Sequence, residues 1–549
     1  MSDDAAEARP GGARRPRPGR AGADASGTAG RAADPSSATP GAVPRPGDPR
    51  SATPDTGGSH SPAPRADDPP PAAPRARPRA GDRPPAAASA RRVALDVIRA
   101  VHADDAYANL LLPARIARAR LSAADAGLAT ELTYGTLRMQ GYYDVIIGIA
   151  ARRDPTRIDA PVLDVLRLAA HQLLGMRVPA HAAVDEAVEL TRAIGARSAS
   201  GFVNGVLRTI TRTDAAAWRE RALATAGTGL ESRAIGTSHP SWVVEAFTRA
   251  LDADGRLPGG DTAELDALLA ADNDAPRVAL VALPGLEGVA ELVAASGGVR
   301  APYSPVAVRE VAGDPAAIDA VRGGTARVQD EGSQLAALAL SRVRAVEPGE
   351  RWLDLCAGPG GKAALLAAEA RLGGARLTAN ELVPARAGLV ERALTAAFGA
   401  DAPEVTTGDG TLVGAAEPGR YDRVLLDAPC TGLGALRRRP EARWRKRPGD
   451  VAELADVQSR LLDSAIAATR PGGVIAYVTC SPHPDETVAV VENALARHGD
   501  AIALIDTPEV LRAISRETID VRGATNAQLW PHAHGTDAMF IQLIARVER

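Results

Sequence analysis

Apolar positions along the chain fall into four regimes. Residues 1–90 contain one branched aliphatic residue, Val43, and no aromatic, so burial there cannot offset the entropy of ordering a chain, and a disordered Pro/Ala/Arg-rich tail is predicted. From Arg91 the pattern changes: Val93, Leu95, Val97, Ile98 and Val101 recur at helical spacing, and amphipathic runs follow at 123–139, 160–174, 181–194 and 199–212. These predict an all-α domain over 91–230. Residues 231–325 carry Ser238-His239-Pro240-Ser241-Trp242, a Gly-Gly loop near 259 and an extended run from Arg277 to Ala282, which predict a linker and a small α+β domain. Over 326–549, β-rich runs at Trp352–Leu355, Arg376–Ala379, Val424–Leu426, Val474–Val478 and Met539–Leu543 alternate with Ala/Leu helices. That alternation predicts a Rossmann-like α/β domain with a parallel, doubly wound sheet.

Composition narrows the setting. The net charge of −3 announces no nucleic-acid binder as a whole, so any such contact must come from local basic patches. The cysteines, Cys356, Cys430 and Cys480, are odd in number and too dispersed for a disulfide framework or a metal knuckle, which suits a reducing cytoplasm. No window approaches the roughly 20 apolar residues of a membrane span, and no metal or membrane partner is expected.

Chemistry concentrates at the ends of the predicted strands. The first runs into Asp354-Leu355-Cys356-Ala357-Gly358-Pro359-Gly360-Gly361-Lys362 before a helix. Such a turn lets backbone amides approach a ligand, although an ordinary tight turn uses the same residues. Glu381 directly follows the second strand, where an acid can accept from ribose hydroxyls, with Arg386 close behind. Asp409, after the third strand, is placed to meet an adenine edge. Together these favour a nucleoside cofactor. The fourth strand ends in Asp427-Ala428-Pro429-Cys430 and the fifth in Thr479-Cys480-Ser481-Pro482, which puts two thiols at one sheet edge. A free cysteine is usually a small buried hydrophobe, but the prolines favour loop-edge positions. The stretch from Gly432 to Arg447 holds Arg437, Arg438, Arg439, Arg443, Trp444 and Arg445, a basic run with one aromatic, and is expected to contact RNA by phosphate pairing and base stacking.

The segments Asp354–Lys362, Asp427–Cys430 and Thr479–Ser481 resemble the motifs of the Nop/Sun family of RNA cytosine-5 methyltransferases. Val328–Leu335 resembles the helix entry that precedes that family's cofactor domain. Glu131–Arg138, His181–Leu190 and Phe202–Leu207 resemble, in their order, the helical domain of the antitermination factor NusB, as in the Sun branch. The likeness covers residues 91–549. It implies a NusB-like RNA-binding domain followed by a class I methyltransferase domain that uses S-adenosyl-L-methionine. It further implies Cys480 as a nucleophile on cytosine carbon 6, Cys430 assisting release, Asp427 beside the reacting base, and residues 356–362, Glu381, Arg386, Asp409 and Asp427 around the cofactor. The expected substrate is 16S ribosomal RNA or a small-subunit precursor, handled by a monomer. Two departures stand out: Cys-Ala-Gly-Pro where Cys-Ala-Ala-Pro is commoner, and Glu381 where Asp is commoner. Gly358 is expected only to loosen the turn. A non-catalytic assembly factor or a transfer RNA cytosine-5 methyltransferase would share parts of this pattern. An amino-nitrogen methyltransferase would leave both thiols idle, because its acceptor needs no thiol adduct.

Overall fold

The computed structural model describes residues 89–548; the predicted tail, apart from Ser89 and Ala90, lies outside them. The first helix, α1 (Ala90–Ala103), starts at Ser89, whose hydroxyl accepts from the Arg92 amide, and buries Val93, Leu95, Val97, Ile98 and Val101. After it come α2 (Ala108–Ala119), α3 (Ala123–Arg138), α4 (Gln140–Ala151), α5 (Ala160–Leu174), α6 (Ala180–Ala193) and α7 (Ser200–Thr211). Two of these were not legible. Helix α2 buries only Ala108 and Leu112, too few for a stripe, and α4 follows α3 after a single non-helical residue, Met139.

The predicted helical stretch ends with α8 (Ala215–Leu223), and the expected linker is helical too: α9 (Gly229–Thr237), α10 (Ser241–Ala253) and α11 (Ala263–Ala271). Val243, Phe247 and Leu251 of α10 pack in one core with Leu433, Leu436, Trp530 and Ala538, so this segment is built into the catalytic half. A small antiparallel sheet follows, formed by β1 (Ala279–Ala282), β2 (Val299–Arg300), β3 (Ala307–Arg309) and β4 (Ala326–Val328) in the order β2-β3-β1-β4. Helices α12 (Val289–Ser296) and α13 (Asp319–Arg322) accompany it.

Helix α14 (Glu331–Arg342) leads into the last domain. Its elements are β5 (Arg351–Asp354), α15 (Gly361–Leu372), β6 (Arg376–Glu381), α16 (Pro384–Phe398), β7 (Glu404–Thr407), α17 (Val413–Ala416) and β8 (Tyr421–Asp427). After these run α18 (Ala442–Arg445), α19 (Pro448–Ala468), β9 (Thr469–Thr479), α20 (Val488–His498), β10 (Ile502–Leu504), α21 (Thr507–Ile514), β11 (Ala527–Gln528), α22 (Pro531–His534) and β12 (Phe540–Arg546). The strand order is β10-β12-β9-β8-β5-β6-β7, with β11 on β12. Strands β5 to β9 are parallel, but β12 runs antiparallel to both β9 and β10. The sheet is therefore mixed rather than wholly parallel: hydrophobic runs give a strand's position and not its direction. One face is covered by α14, α15 and α21, the other by α19 and α20. Strand order reverses between β5 and β8, and ligands of open α/β sheets bind at the carboxyl edge of such a switch point.

Candidate active site

The glycine-rich turn after β5 is pinned by backbone bonds. Leu355 N–H donates to Leu425 O, and Ala357 N–H donates to Asn380 O at 2.8 Å. Gly360 takes φ +101°, and α15 starts at the next residue. Asn380, which the sequence reading missed, donates from Nδ2 to both Leu355 O and Gly408 O, stapling the turn after β5 to the one after β7. Nothing in its position at the end of β6 marked it.

Glu381 is buried and holds two amides: Oε2 accepts from Gly358 N–H at 3.0 Å and Oε1 from Val383 N–H at 3.0 Å. Arg386 donates to Gly358 O at 2.7 Å. A Cβ on residue 358 would fall 2.2 Å from Glu381 Oε2 and 2.9 Å from Arg386 Nε. Gly358 thus does not loosen the turn; it vacates the space that the longer acid fills, so the two departures are one paired change. Asp409 is exposed and accepts from Thr411 N–H and Oγ1, which hold its carboxyl below the usual range.

Asp354 was quoted in the motif without a role. It is 1% exposed and neither carboxylate oxygen has a hydrogen-bond partner. Burial and the neighbouring Asp427 push its carboxyl up to about 8. An orphaned acid beside a glycine cradle fits a ligand that brings its own positive charge. S-adenosylmethionine, with a sulfonium and an ammonium, is such a ligand, and the residues present fit it.

Both strand-end thiols meet. Asp427 pairs with Val478 across β8 and β9, and Ala428 N–H continues the ladder to Val478 O. The chains beyond bring Cys430 Sγ to 3.4 Å from Cys480 Sγ, in contact but unbonded. Lys362 Nζ donates to Asp427 Oδ2 at 2.8 Å. Burial works against that ammonium, but Asp427 and Cys480 more than compensate, and its pKa is raised. The Cys480 thiol is lowered, because Cys430 donates to it and Lys362 and Arg439 lie near, against the effects of burial and Asp427. Cys430 is raised by the same contact and by burial. Burial pushes Cys356 up as well.

Glu486 holds this edge together and was also missed. Fully buried, it accepts from Thr431 N–H at 2.7 Å, Ser481 Oγ at 2.6 Å and Gln458 Nε2 at 3.2 Å, tying the Cys430 loop to the Cys480 loop. An acid inside Ser481-Pro482-His483-Pro484-Asp485-Glu486 was the available signal. Gly434 completes the crossing: its N–H donates to Cys480 O at 2.8 Å, and a Cβ there would lie 2.1 Å from Ala538 O.

The basic stretch corrects the expectation of an RNA-facing ribbon. Arg437 and Arg438 pair with Asp330 and Asp537. Arg443 is 0% exposed and donates to Arg138 O, Ser238 O, Asp272 O and Asn273 Oδ1. Arg445 donates to Val101 O at 2.7 Å and to Ala106 O. These four arginines satisfy buried acids and helix-end carbonyls where the helical domain packs on the loop, and are spent inside the protein. Arg439 remains exposed, its guanidinium 5.9 Å from the Tyr107 ring centroid. Trp444 is 36% exposed and lies over Gly141, where a Cβ would come within 2.2 Å of the indole.

Comparison with known proteins fits this geometry. Residues 342–545 match the family described as 16S rRNA methyltransferase RsmB/F, and residues 88–212 match the NusB family. A ribosomal RNA small subunit methyltransferase B from Pseudomonas syringae pv. tomato is 32% identical over 433 residues, 75% of this chain and 87% of that protein. The chain belongs to the RsmB/F family. A Mycobacterium tuberculosis (strain H37Rv) protein named as a methyltransferase is 48% identical over 462 residues, 83% of this chain and 96% of its own length. The crystal structure of PH0851 shares the fold, with a TM-score of 0.69 at 21% identity, covering 83% of this chain and 98% of that one. Membership in this RsmB/F family implies S-adenosylmethionine-dependent methylation of ribosomal RNA. Among the described residues no helix is long and apolar enough to cross a membrane, and no cluster of three or more His, Cys, Asp or Glu could hold a metal.

Proposed function

We propose that the chain methylates carbon 5 of a cytosine in 16S ribosomal RNA through a covalent adduct on Cys480. The observation that carries this reading is the 3.4 Å contact between two thiols at the ends of the paired strands β8 and β9. Carbon 5 of cytosine is too weak a nucleophile to take a methyl group unaided. Addition of the Cys480 thiolate to carbon 6 forms a C–S bond and moves the ring's electron pair onto carbon 5. S-adenosylmethionine, bound over residues 356–362 with Glu381, Arg386 and Asp409 around the nucleoside, supplies an electrophilic methyl. Asp427, held by Lys362 through Oδ2, would orient the base by accepting from the exocyclic amine through its other oxygen. Bonding of Cys480 to carbon removes its contact and charge from the effects that raise Cys430, while burial, Glu486 and Asp427 remain. Cys430, its own proton passed to water, then removes the carbon-5 proton, and the C–S bond breaks with its electron pair returning to Cys480 as the ring double bond re-forms.

The test is methyl transfer from labelled S-adenosylmethionine to a 16S transcript, resolved on a denaturing gel. Cys480→Ser is expected to be inactive, and Cys430→Ala to accumulate a protein–RNA adduct that survives denaturation. Wild-type turnover in both variants would make the thiols structural and remove the cytosine assignment. An activity on transfer RNA in place of 16S RNA would keep the mechanism and change the acceptor.

A further inference from the structure

The motif Glu131–Arg138 has so far no use. Glu131, Gly135 and Arg138 are spaced i, i+4 and i+7 and share one face of α3. That face lines a cavity of about 220 Å³ with Met139, Tyr142, Tyr143 and His171. Arg138 is 6% and His171 4% exposed, yet Arg138 Nε and His171 Nε2 have no hydrogen-bond partner. Buried polar groups are rarely left so. His171 Nδ1 meets Tyr143 Oη at 2.9 Å, and Nε2 lies 3.3 Å from Glu131 Oε1 without hydrogen-bond geometry. Gly135 admits the imidazole to the wall: a Cβ there would lie 2.2 Å from His171 Nε2. A glycine inside a helix is destabilising in itself, and here it makes room for the imidazole, which packs against α3 beside Glu131.

We infer that this cavity binds one unstacked base of the RNA whose cytosine is being modified. Its volume is below the roughly 300–1,000 Å³ of sites that enclose a whole cofactor-sized ligand, and suits a single flat heterocycle. The lining supplies aromatic rings, a guanidinium and a carboxylate, groups of the kinds by which single-stranded bases are stacked and read on their edges. A phosphate is the poorer occupant, because the Glu131 carboxylate shares the cavity with Arg138. The site is coupled to the catalytic loop: Arg138 Nη2 donates to Arg437 O, seven residues past Cys430. The inference rests on RNA being the substrate, and not on the thiol chemistry.

Ala215 lines the cavity and is exposed, so Ala215→Trp plugs the entrance without entering a core. The experiment measures filter binding of a 16S transcript without cofactor, together with photocrosslinking of a 4-thiouridine-substituted transcript and mapping of tryptic peptides. The expected result is a crosslink on the peptide Met139–Arg152, lost in Ala215→Trp, with Kd for RNA raised about five-fold or more, as loss of one stacked base implies. Glu131→Gln should weaken binding too; tighter binding, with competition by inorganic phosphate, would make the site an anion site and overturn the proposal. Absence of that crosslink with wild-type Kd in Ala215→Trp would also overturn it. Neither readout needs methyl transfer, so inactive protein that still crosslinks would sink the catalytic reading alone.

Discussion

Gly358→Ala tests the pairing of the two unusual residues in the cofactor loop. The added Cβ would sit 2.2 Å from Glu381 Oε2, so the carboxylate must swing away and give up the Gly358 amide it now holds at 3.0 Å. Glu381 is 3% exposed, and a hydrogen bond to a buried charged group is worth roughly 1.5–3 kcal/mol. At about 1.4 kcal/mol per factor of ten, S-adenosylmethionine should bind roughly 10- to 100-fold more weakly, as read by titration calorimetry. Shortening the acid by one methylene removes the clash, so Gly358→Ala combined with Glu381→Asp should recover most of the affinity. The two substitutions are therefore expected to couple by about 1–2 kcal/mol, within the range for contacting residues. Unchanged affinity in Gly358→Ala, or a double variant as weak as the product of the singles, would refute the reasoning.

Three further outcomes follow from the same contacts. Asp354, with its carboxyl raised from an ordinary 3.8 to about 8, stays protonated in the fold while the unfolded chain ionises. The ligand-free protein should therefore lose stability as pH rises from about 4 to 8 and level off above, as followed by denaturant midpoints. A cationic cofactor would bring that carboxyl down, so binding near pH 7 should release a proton, visible as buffer-dependent calorimetric heat and absent in Asp354→Asn; equal heats in all buffers would count against Asp354 as the cofactor's counter-ion. Arg443→Ala, which takes the donor from the Arg138, Ser238 and Asp272 carbonyls and the Asn273 amide oxygen and a neighbouring cation from buried Asp272, should cost roughly 3–5 kcal/mol in urea unfolding, whereas Arg439→Ala should leave stability alone and lower the salt slope of RNA binding by about one.

The sequence showed the catalytic half well because its signals are local. A glycine turn, an acid after a strand and a thiol after a proline each depend on a few neighbouring residues, and parallel pairing of β8 and β9 brings Cys430 and Cys480 together without further information. What was missed depends on distant partners. Asn380 and Glu486 act by joining loops from different strands, and each has partners that lie far along the chain. The direction of β12 and the helices α10 and α11 were hidden for a related reason: periodicity reports a buried face but not what buries it.

The basic stretch carries this furthest. Seen along the chain, Arg437 to Arg445 is a charge run, and a charge run suggests a face turned to a polyanion. Its acids are remote in sequence: Asp330 and Asp537 each lie about a hundred positions from Arg437 and Arg438, at separations of 107 and 100 for Arg437. Arg443 and Arg445 reach further still, into carbonyls of the helical domain. Because burying an unpaired guanidinium is costly, each of these arginines fixes the loop that follows Cys430 at one place. The helical domain therefore does more than lie beside the catalytic domain: through Arg138, Arg443 and Arg445 it helps set the conformation of the loop that presents Cys430 to Cys480. A substrate contact made in the helical domain has in these arginines a direct mechanical route to the thiols.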